Sequence, residues 1–371
     1  MVITLDGWIP DLRVAGVGDF PHNMLREIFQ QPETLRETIR NGREKAREIL
    51  EGLSAIRRIY FVGSGTSYHA GLLGQLLISK FTRVPATAIP SSEFDYWTPS
   101  AFEDGTIVAA ISQSGESIDT LRAAEAGKRK GALLLAVTNN PVSSLVQISD
   151  HSLIAEAGEE KAVTATKSYT AQLAILYLIS LQVASLTGAD SELLRGLELS
   201  LHEVPSILES ILEAVNGEAL KLAERFKAFK VFFLLGSDLN YPTVLEGALK
   251  LKEACNVYAE GFAAREFLHG PVQLVNEATC ILMVAPHRWS RDLLRLSEEL
   301  KSYGAPIVAV SDSRDPSVKG VSHWLAPQVR VPELVSPIVY IVPLQLFAYH
   351  SSVLRGLNPD KPEKLSKVVR E

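Results

Sequence analysis

Short apolar runs and glycine-rich turns alternate with stretches of helical period along most of the chain. The runs at 58–62, 106–111 and 133–137 are almost wholly apolar. A strand of that kind is buried on both faces, which is the condition of a parallel sheet covered by helices. Between and after them, 68–81 and 118–130 carry helical spacing, and shorter strands are predicted at 87–90 and 152–155. Upstream, the segment MLREIFQQPETLRETI predicts a helix broken near Pro32, with charged helix continuing to about Leu53. Long helices are predicted over 166–227, with a break near Asn216 and Gly217. A second unit then repeats the order strand, glycine–serine turn, helix, strand, helix, strand. Its strands are expected at 231–235, 280–284, 307–310 and 323–325, with helices from Pro242 and over 333–354. The pattern implies an α/β protein with parallel sheets flanked by helices. Four parts are expected: an arm over 1–25, a first domain over 26–205, a second over 206–355 and a polar tail over 356–371.

Two turns in the first unit have a composition suited to an anion. Gly63–Ser64–Gly65–Thr66–Ser67 follows the first strand and precedes a helix, and Ser112–Gln113–Ser114–Gly115–Glu116–Ser117 repeats the design after the 106–111 strand. Glycine lets the backbone turn tightly. The helix N-terminus offers N–H groups and a partial positive charge, and the hydroxyls add donors. Each loop alone also fits a plain turn with an N-cap. Two in consecutive units favour phosphate binding. Neither a Walker lysine nor a dinucleotide fingerprint accompanies them, so a small phosphate ester is expected rather than a nucleotide.

Composition narrows the class further. The formal net charge is −6 and no long basic run occurs, which argues against nucleic acid or membrane as the main partner. The two cysteines, Cys255 and Cys280, have no metal-ligand spacing, so no metal is predicted and a reducing compartment fits. Residues 1–10 lack a basic start and an apolar core, and no apolar stretch of about 18 residues is free of charges or polar breaks. A cytoplasmic location is expected.

Glu246, Lys250 and Glu253 fall at i, i+4 and i+7, on one face of a predicted helix. By spacing alone they form a solvated salt-bridge ladder. By the same bare reading His269 is a structural histidine, and Lys367 an exposed lysine of the tail.

A resemblance changes these readings. GSGTSYHAG, ISQSGESIDTL and TATKSYTAQ resemble the first sugar isomerase (SIS) domain of glucosamine-6-phosphate synthase. YPTVLEGALKLKE, YAEGFAAREFLHGP and DKPEKLSKVVRE resemble its second SIS domain and C-terminal tail. The likeness runs from about residue 22 to 371 with its blocks in the same order. It implies two SIS domains, each a three-layer αβα unit of flavodoxin-like form. It implies that Gly65, Thr66, Ser67, Ser112, Gln113, Ser114 and Ser117 hold a sugar phosphate, and that Val163 lies along the sugar. Ala165 stands where the family often has serine. Glu253 matches the carboxylate that moves a proton between C1 and C2 of the open-chain sugar, a task a carboxylate on one face of the substrate can perform. Lys250 would keep Glu253 ionised or contact the sugar. His269 matches the histidine assigned to ring opening, which in that family reaches over from the neighbouring subunit, so a homodimer is implied. Glu260 and Glu266 are candidates to orient it, and Arg265 and Phe267 depart from the small or polar residues expected beside it. Lys367 matches the tail lysine that reacts with, or polarises, the carbonyl. No cofactor is implied.

The synthase family also carries a glutaminase domain with a cysteine nucleophile at its mature N-terminus, where this chain has Val2. The chain is therefore expected to act as a glucosamine-6-phosphate deaminase, forming fructose 6-phosphate and ammonia. Amination of fructose 6-phosphate by free ammonia, and action on another amino-sugar phosphate, stay open as alternatives. So does, from a different class, a non-catalytic sugar-phosphate sensor.

Overall fold

The computed structural model describes residues 20–285, 289–312, 314–315 and 317–368. Most of the expected N-terminal arm and the last three residues of the tail lie outside them. Two helices open the described residues, α1 (Asn23–Phe29) and α2 (Gln31–Glu51), joined at Gln30 just before Pro32. The first unit follows as β1 (Arg58–Gly63), α3 (Thr66–Phe81), β2 (Ala86–Pro90), α4 (Phe94–Trp97), β3 (Thr106–Ser112), α5 (Ile118–Arg129), β4 (Leu133–Thr138), α6 (Ser144–Ile148) and β5 (His151–Ile154). Two long helices connect the units, α7 (Lys167–Leu186) and α8 (Ser191–Phe226). The second unit is β6 (Val231–Gly236), α9 (Tyr241–Cys255), β7 (Tyr258–Ala263), β8 (Thr279–Val284), α10 (Arg291–Ser302), β9 (Ile307–Val310), β10 (His323–Leu325) and α11 (Ser336–Leu354).

Each unit forms a five-stranded parallel sheet. The first has the order β2-β1-β3-β4-β5, and the second β10-β9-β8-β6-β7, which is the same winding read from the other edge. Alternation along the strands divides the core. Ile59, Phe61, Ile107, Ala109 and Ile111 face a large central core that also takes in Phe232, Leu234, Leu282 and much of α7, α8, α9 and α11. Tyr60, Val62, Val108 and Ala110 face an outer cluster under α5, and Phe233, Leu235, Ile281 and Met283 face its counterpart under α10. The two sheets thus share one helical layer.

Two expectations change. The predicted break at Asn216 and Gly217 is absent: α8 runs through both, because Asn216 turns inward and its side-chain oxygen pairs with His350 Nε2 at 2.7 Å. Burial pulls the His350 pKa down to about 4 and keeps the ring neutral there. The chain breaks instead at 187–190, where Gly188 has φ +78°. The second unit contains two elements beyond those expected, edge strand β7 and helix α10. By length and composition alone, α7 and the helical stretch ending with α11 would pass for membrane spans. Both are mostly buried inside the protein, which is what a shared central layer requires.

Candidate active site

In an open parallel sheet, ligands bind beyond the carboxyl ends of the strands, at the point where the winding reverses. In the first sheet that point lies between β1 and β3. The loops that leave these two strands are 63–67 and 112–117, so the expected phosphate loops stand side by side. Gly65, with φ +53°, turns the chain into α3, and Ser117 precedes α5. Neither helix start has a side-chain cap, and in α3 the Ser67 N–H is taken by the Ser64 carbonyl at 3.1 Å.

The second loop is stiff. Ser112 Oγ accepts from Gly115 N at 3.1 Å, Ser114 Oγ accepts from Glu116 N at 3.1 Å, and the Gln113 carbonyl accepts from Asn139 N at 3.1 Å. Glu116 turns its carboxylate away to take Ser144 N and Oγ at 2.9 and 2.8 Å, which removes a negative charge from the mouth of the loop. Gly115 sits at φ +68°, and a Cβ there would lie 2.2 Å from Ser143 Oγ. Gly115→Ala is expected to lower stability by about 1–3 kcal/mol. A thermal melt unchanged from wild type would show that the loop can yield.

The corresponding turn of the second sheet, after β6, is not equivalent. Asp238 occupies its start with φ +51° and pairs with Lys80 at 2.7 Å.

The helix face predicted to carry Glu246, Lys250 and Glu253 does so on α9. It is not a solvated ladder. Lys250 and Glu246 have no side-chain exposure, and Lys250 Nζ lies 3.1 Å from Glu246 Oε1 and 2.6 Å from Glu253 Oε2. The chain of contacts crosses between domains. Thr66 Oγ1 donates to Glu246 Oε1 at 2.9 Å and accepts from Lys250 Nζ at 3.2 Å. His69 Nδ1, one turn along α3, pairs with Glu246 Oε2 at 2.8 Å. Burial opposes both charges. For Glu246 the adjoining Lys250 and His69 outweigh it and hold the carboxyl below its usual range. For Lys250 the two carboxylates outweigh it and hold the ammonium above its own. Glu253, at the end of this chain, is 20% exposed. It opens into a cavity of about 530 Å³ formed by the end of α9 and the tail, with Asn256, Leu357 and Lys361 among its walls. That volume suits a small ligand.

The remaining predicted residues are placed as follows. Thr66 spends its hydroxyl on the Glu246–Lys250 pair. Ser67 Oγ is shared with the Gln172 side chain of α7 at 3.2–3.3 Å. Val163 N donates to Asp360 O of the tail at 2.9 Å, and Lys367 Nζ lies 2.7 Å from Glu160 Oε2 and 2.5 Å from Ala162 O. Val163 and Lys367 are thus brought together. His269 is exposed, between β7 and β8, and is not a wall of the Glu253 cavity. Glu266 meets it only through the backbone, His269 N to Glu266 O at 3.0 Å. Glu260 is exposed on β7. Arg265 pairs with Asp292, and Phe267 is buried against Phe233 and Phe262. His69, Gln172 and Glu160 were not singled out by the sequence. His69 stands three residues after Thr66, on the same face of α3, which is the one signal that points to it.

A family model for the SIS domain matches residues 52–181 and 228–355. The chain belongs to the SIS domain family. The expected fold, two SIS domains each built on a parallel sheet flanked by helices, is borne out. This SIS chain is 42% identical over 361 residues to glutamine–fructose-6-phosphate aminotransferase (isomerizing) of Thermococcus kodakarensis, covering 96% of itself and 59% of that relative. It is 38% identical over 359 residues to the enzyme of the same name from Pyrococcus horikoshii, again covering 59% of it. It therefore spans under two thirds of the length of these relatives. Among solved structures it is similar to the C-terminal domain of glucosamine-fructose-6-phosphate aminotransferase from Francisella tularensis, with a TM-score of 0.83, 29% identity, and coverage of 92% of this chain and 99% of that one. Glucosamine-6-phosphate deaminase from Thermotoga maritima shares the fold, with a TM-score of 0.73 at 24% identity over 94% of this chain and 99% of that one.

Proposed function

We propose that this SIS chain interconverts glucosamine 6-phosphate and fructose 6-phosphate, and that supplied with the amino sugar in water it acts as a deaminase. The observation that carries the reading is the Thr66–Glu246–Lys250–Glu253 chain. It ties the first anion loop to a carboxylate in a cavity of ligand size, and the relatives are named as isomerizing aminotransferases of fructose 6-phosphate.

In this reading the helix starts at Gly65 and Ser117, with Thr66 through its backbone N–H, and Ser67, Ser112, Gln113 and Ser114, hold the 6-phosphate and nearby hydroxyls, and Val163 lies along the sugar. His269 of a second copy opens the ring by moving the hydroxyl proton. Glu253 takes the proton from C2 of the open aldose and returns it to C1, leaving a C2 imine. Water adds to the imine carbon and ammonia leaves, giving fructose 6-phosphate. Lys367 donates to the sugar oxygens from the tail. Water is the solvent and ammonia a dilute reactant, so mass action favours hydrolysis. A cytoplasmic homodimer is part of the same reading, as is the division of the chain near 205.

The test is incubation of the chain with glucosamine 6-phosphate, reading ammonia and fructose 6-phosphate in equal amounts. Product only from fructose 6-phosphate plus ammonium would reverse the direction. Binding with no turnover in either direction would leave a sensor and end the enzymatic reading.

A further inference from the structure

Glu160 has a fully buried side chain, and both carboxylate oxygens are engaged. Oε1 accepts from Thr166 N at 3.0 Å and Ser168 N at 3.1 Å, around the first turn of α7. Oε2 accepts from Ser168 Oγ at 2.7 Å and meets the Lys367 ammonium at 2.7 Å. The loop that follows Glu160 is gripped from two sides. Glu27 of α1 accepts from Lys161 N at 2.5 Å and from Ala162 N at 3.3 Å. The tail takes Val163 N on the Asp360 carbonyl and Thr164 Oγ1 on the Pro359 carbonyl at 3.3 Å. The Asp360 carboxylate closes the ring of contacts by accepting Asn23 N at 2.8 Å and Met24 N at 2.7 Å at the start of α1. Tail, α1 and loop therefore hold one another.

We propose that Glu160 is a positioning residue that seats the tail: its buried carboxylate fixes the Lys367 ammonium beside Val163, while Asp360 pins the upstream end of the tail to α1. The physical reason is the cost of an unpaired buried charge. With Lys367 withdrawn, Glu160 would keep its three neutral donors and lose the cation that touches it. The other nearby cation, Lys167, spends its ammonium on Gln30 Oε1 at 2.9 Å. A buried carboxylate without a partner is strongly unfavourable, so the seated tail is the preferred state. Burial pushes the Glu160 pKa up, and Lys367 outweighs it, so that the carboxyl sits below its usual range. The Lys367 ammonium gives two of its three N–H bonds to Glu160 and the Ala162 carbonyl and keeps the third for a ligand. The importance of this seat for turnover rests on the proposed function; the seat itself does not.

The test reads the tail directly. Lys364, followed by Leu365, offers trypsin a site in it, whereas Lys361 precedes Pro362 and is not cut, and cleavage of a native protein tracks how often the segment opens. In the full chain, Glu160→Gln and Lys367→Met are each expected to speed cleavage there by roughly tenfold or more. Because both remove the same contact, the double variant should be cut no faster than the singles. If Glu160→Gln disturbs the start of α7, seen as a lowered melting temperature, Lys367→Met reports on the same contact from the more exposed side. Cleavage of Lys367→Met at the wild-type rate, or additive effects in the double variant, would overturn the proposal. In parallel, both variants should lose turnover of glucosamine 6-phosphate to a similar degree, with the larger part in kcat. A wild-type chain with no turnover would count against the proposed function alone, since the proteolysis still decides the seat.

Discussion

Glu253→Gln is expected to lower kcat for glucosamine 6-phosphate by about 10²- to 10⁴-fold, the range supplied by a positioned general base. Glutamine fills nearly the same space and keeps a polar tip toward Lys250, but it cannot hold the proton between C2 and C1. The fold should survive, because Glu253 is the exposed end of the buried chain and Glu246 still faces Lys250 and His69. The melting temperature should shift little, and fructose 6-phosphate should still bind in a calorimetric titration. In deuterated water the wild type should wash deuterium into C1 of fructose 6-phosphate, and the variant should not. Exchange at the wild-type rate would remove Glu253 from the chemistry, whatever happened to ammonia release.

The fold was legible wherever burial is two-sided. The segment Thr106–Ser112 is buried throughout, and its composition admits little besides a central strand. Where one side meets solvent the signal fades. Tyr258–Ala263 carries Glu260 and Gly261 at the sheet edge, and nothing in its spacing separates it from a loop. α10 is a different case: Leu293, Leu296 and Leu300 show a plain helical period, so that element could be read from sequence. Asn216 misled because an asparagine that ends helices in solution can instead pair inside a core, and its partner, His350, is 134 residues away.

The candidate site divides in the same way. Local pieces were readable: the loops lie next to strands that announce themselves, and the i, i+4, i+7 face of α9 is a matter of counting. What was not readable is which groups are partners across the fold. Nothing in the spacing joins Thr66 and His69 to Glu246, or Glu160 to Lys367, since those pairs form only when α3 meets α9 and the tail meets the 160–164 loop. Nor does spacing alone say whether the α9 carboxylates and lysine are solvated or sealed. That distinction sets the consequence of removing one of them.

Lys250→Met is expected to cost about 3–5 kcal/mol of stability, the penalty for leaving a buried charge without its partner, with the melting temperature falling by about 4–6 °C. Methionine has nearly the length of the lysine stem, so the loss is of charge rather than volume. Glu246, sealed from solvent, would keep only Thr66 and His69. The pH dependence gives the sign. In the wild type the Glu246 pKa is depressed below its ordinary value of 4.5, so its contribution is present above that value and is lost as pH falls through the folded pKa. Lys250 is raised above its ordinary 10.5, so its contribution is present below that value and is lost only as pH rises through a still higher folded pKa. The pair therefore supports the fold across the whole neutral range. In Lys250→Met, burial with no ammonium beside it would raise the Glu246 pKa instead, and the carboxyl would take up a proton as pH falls. The stability gap between the two proteins should thus be largest near neutrality, begin to narrow above pH 4.5 as the variant's Glu246 takes up its proton, and narrow further below pH 4.5 as the wild type loses its contribution. Adding Glu246→Gln to Lys250→Met should recover part of the lost stability at pH 7, because the double variant has no buried charge left to strand. A gap that stayed constant from pH 7 to pH 4, or a double variant less stable than the single, would mean that Lys250 acts through packing and not through its charge.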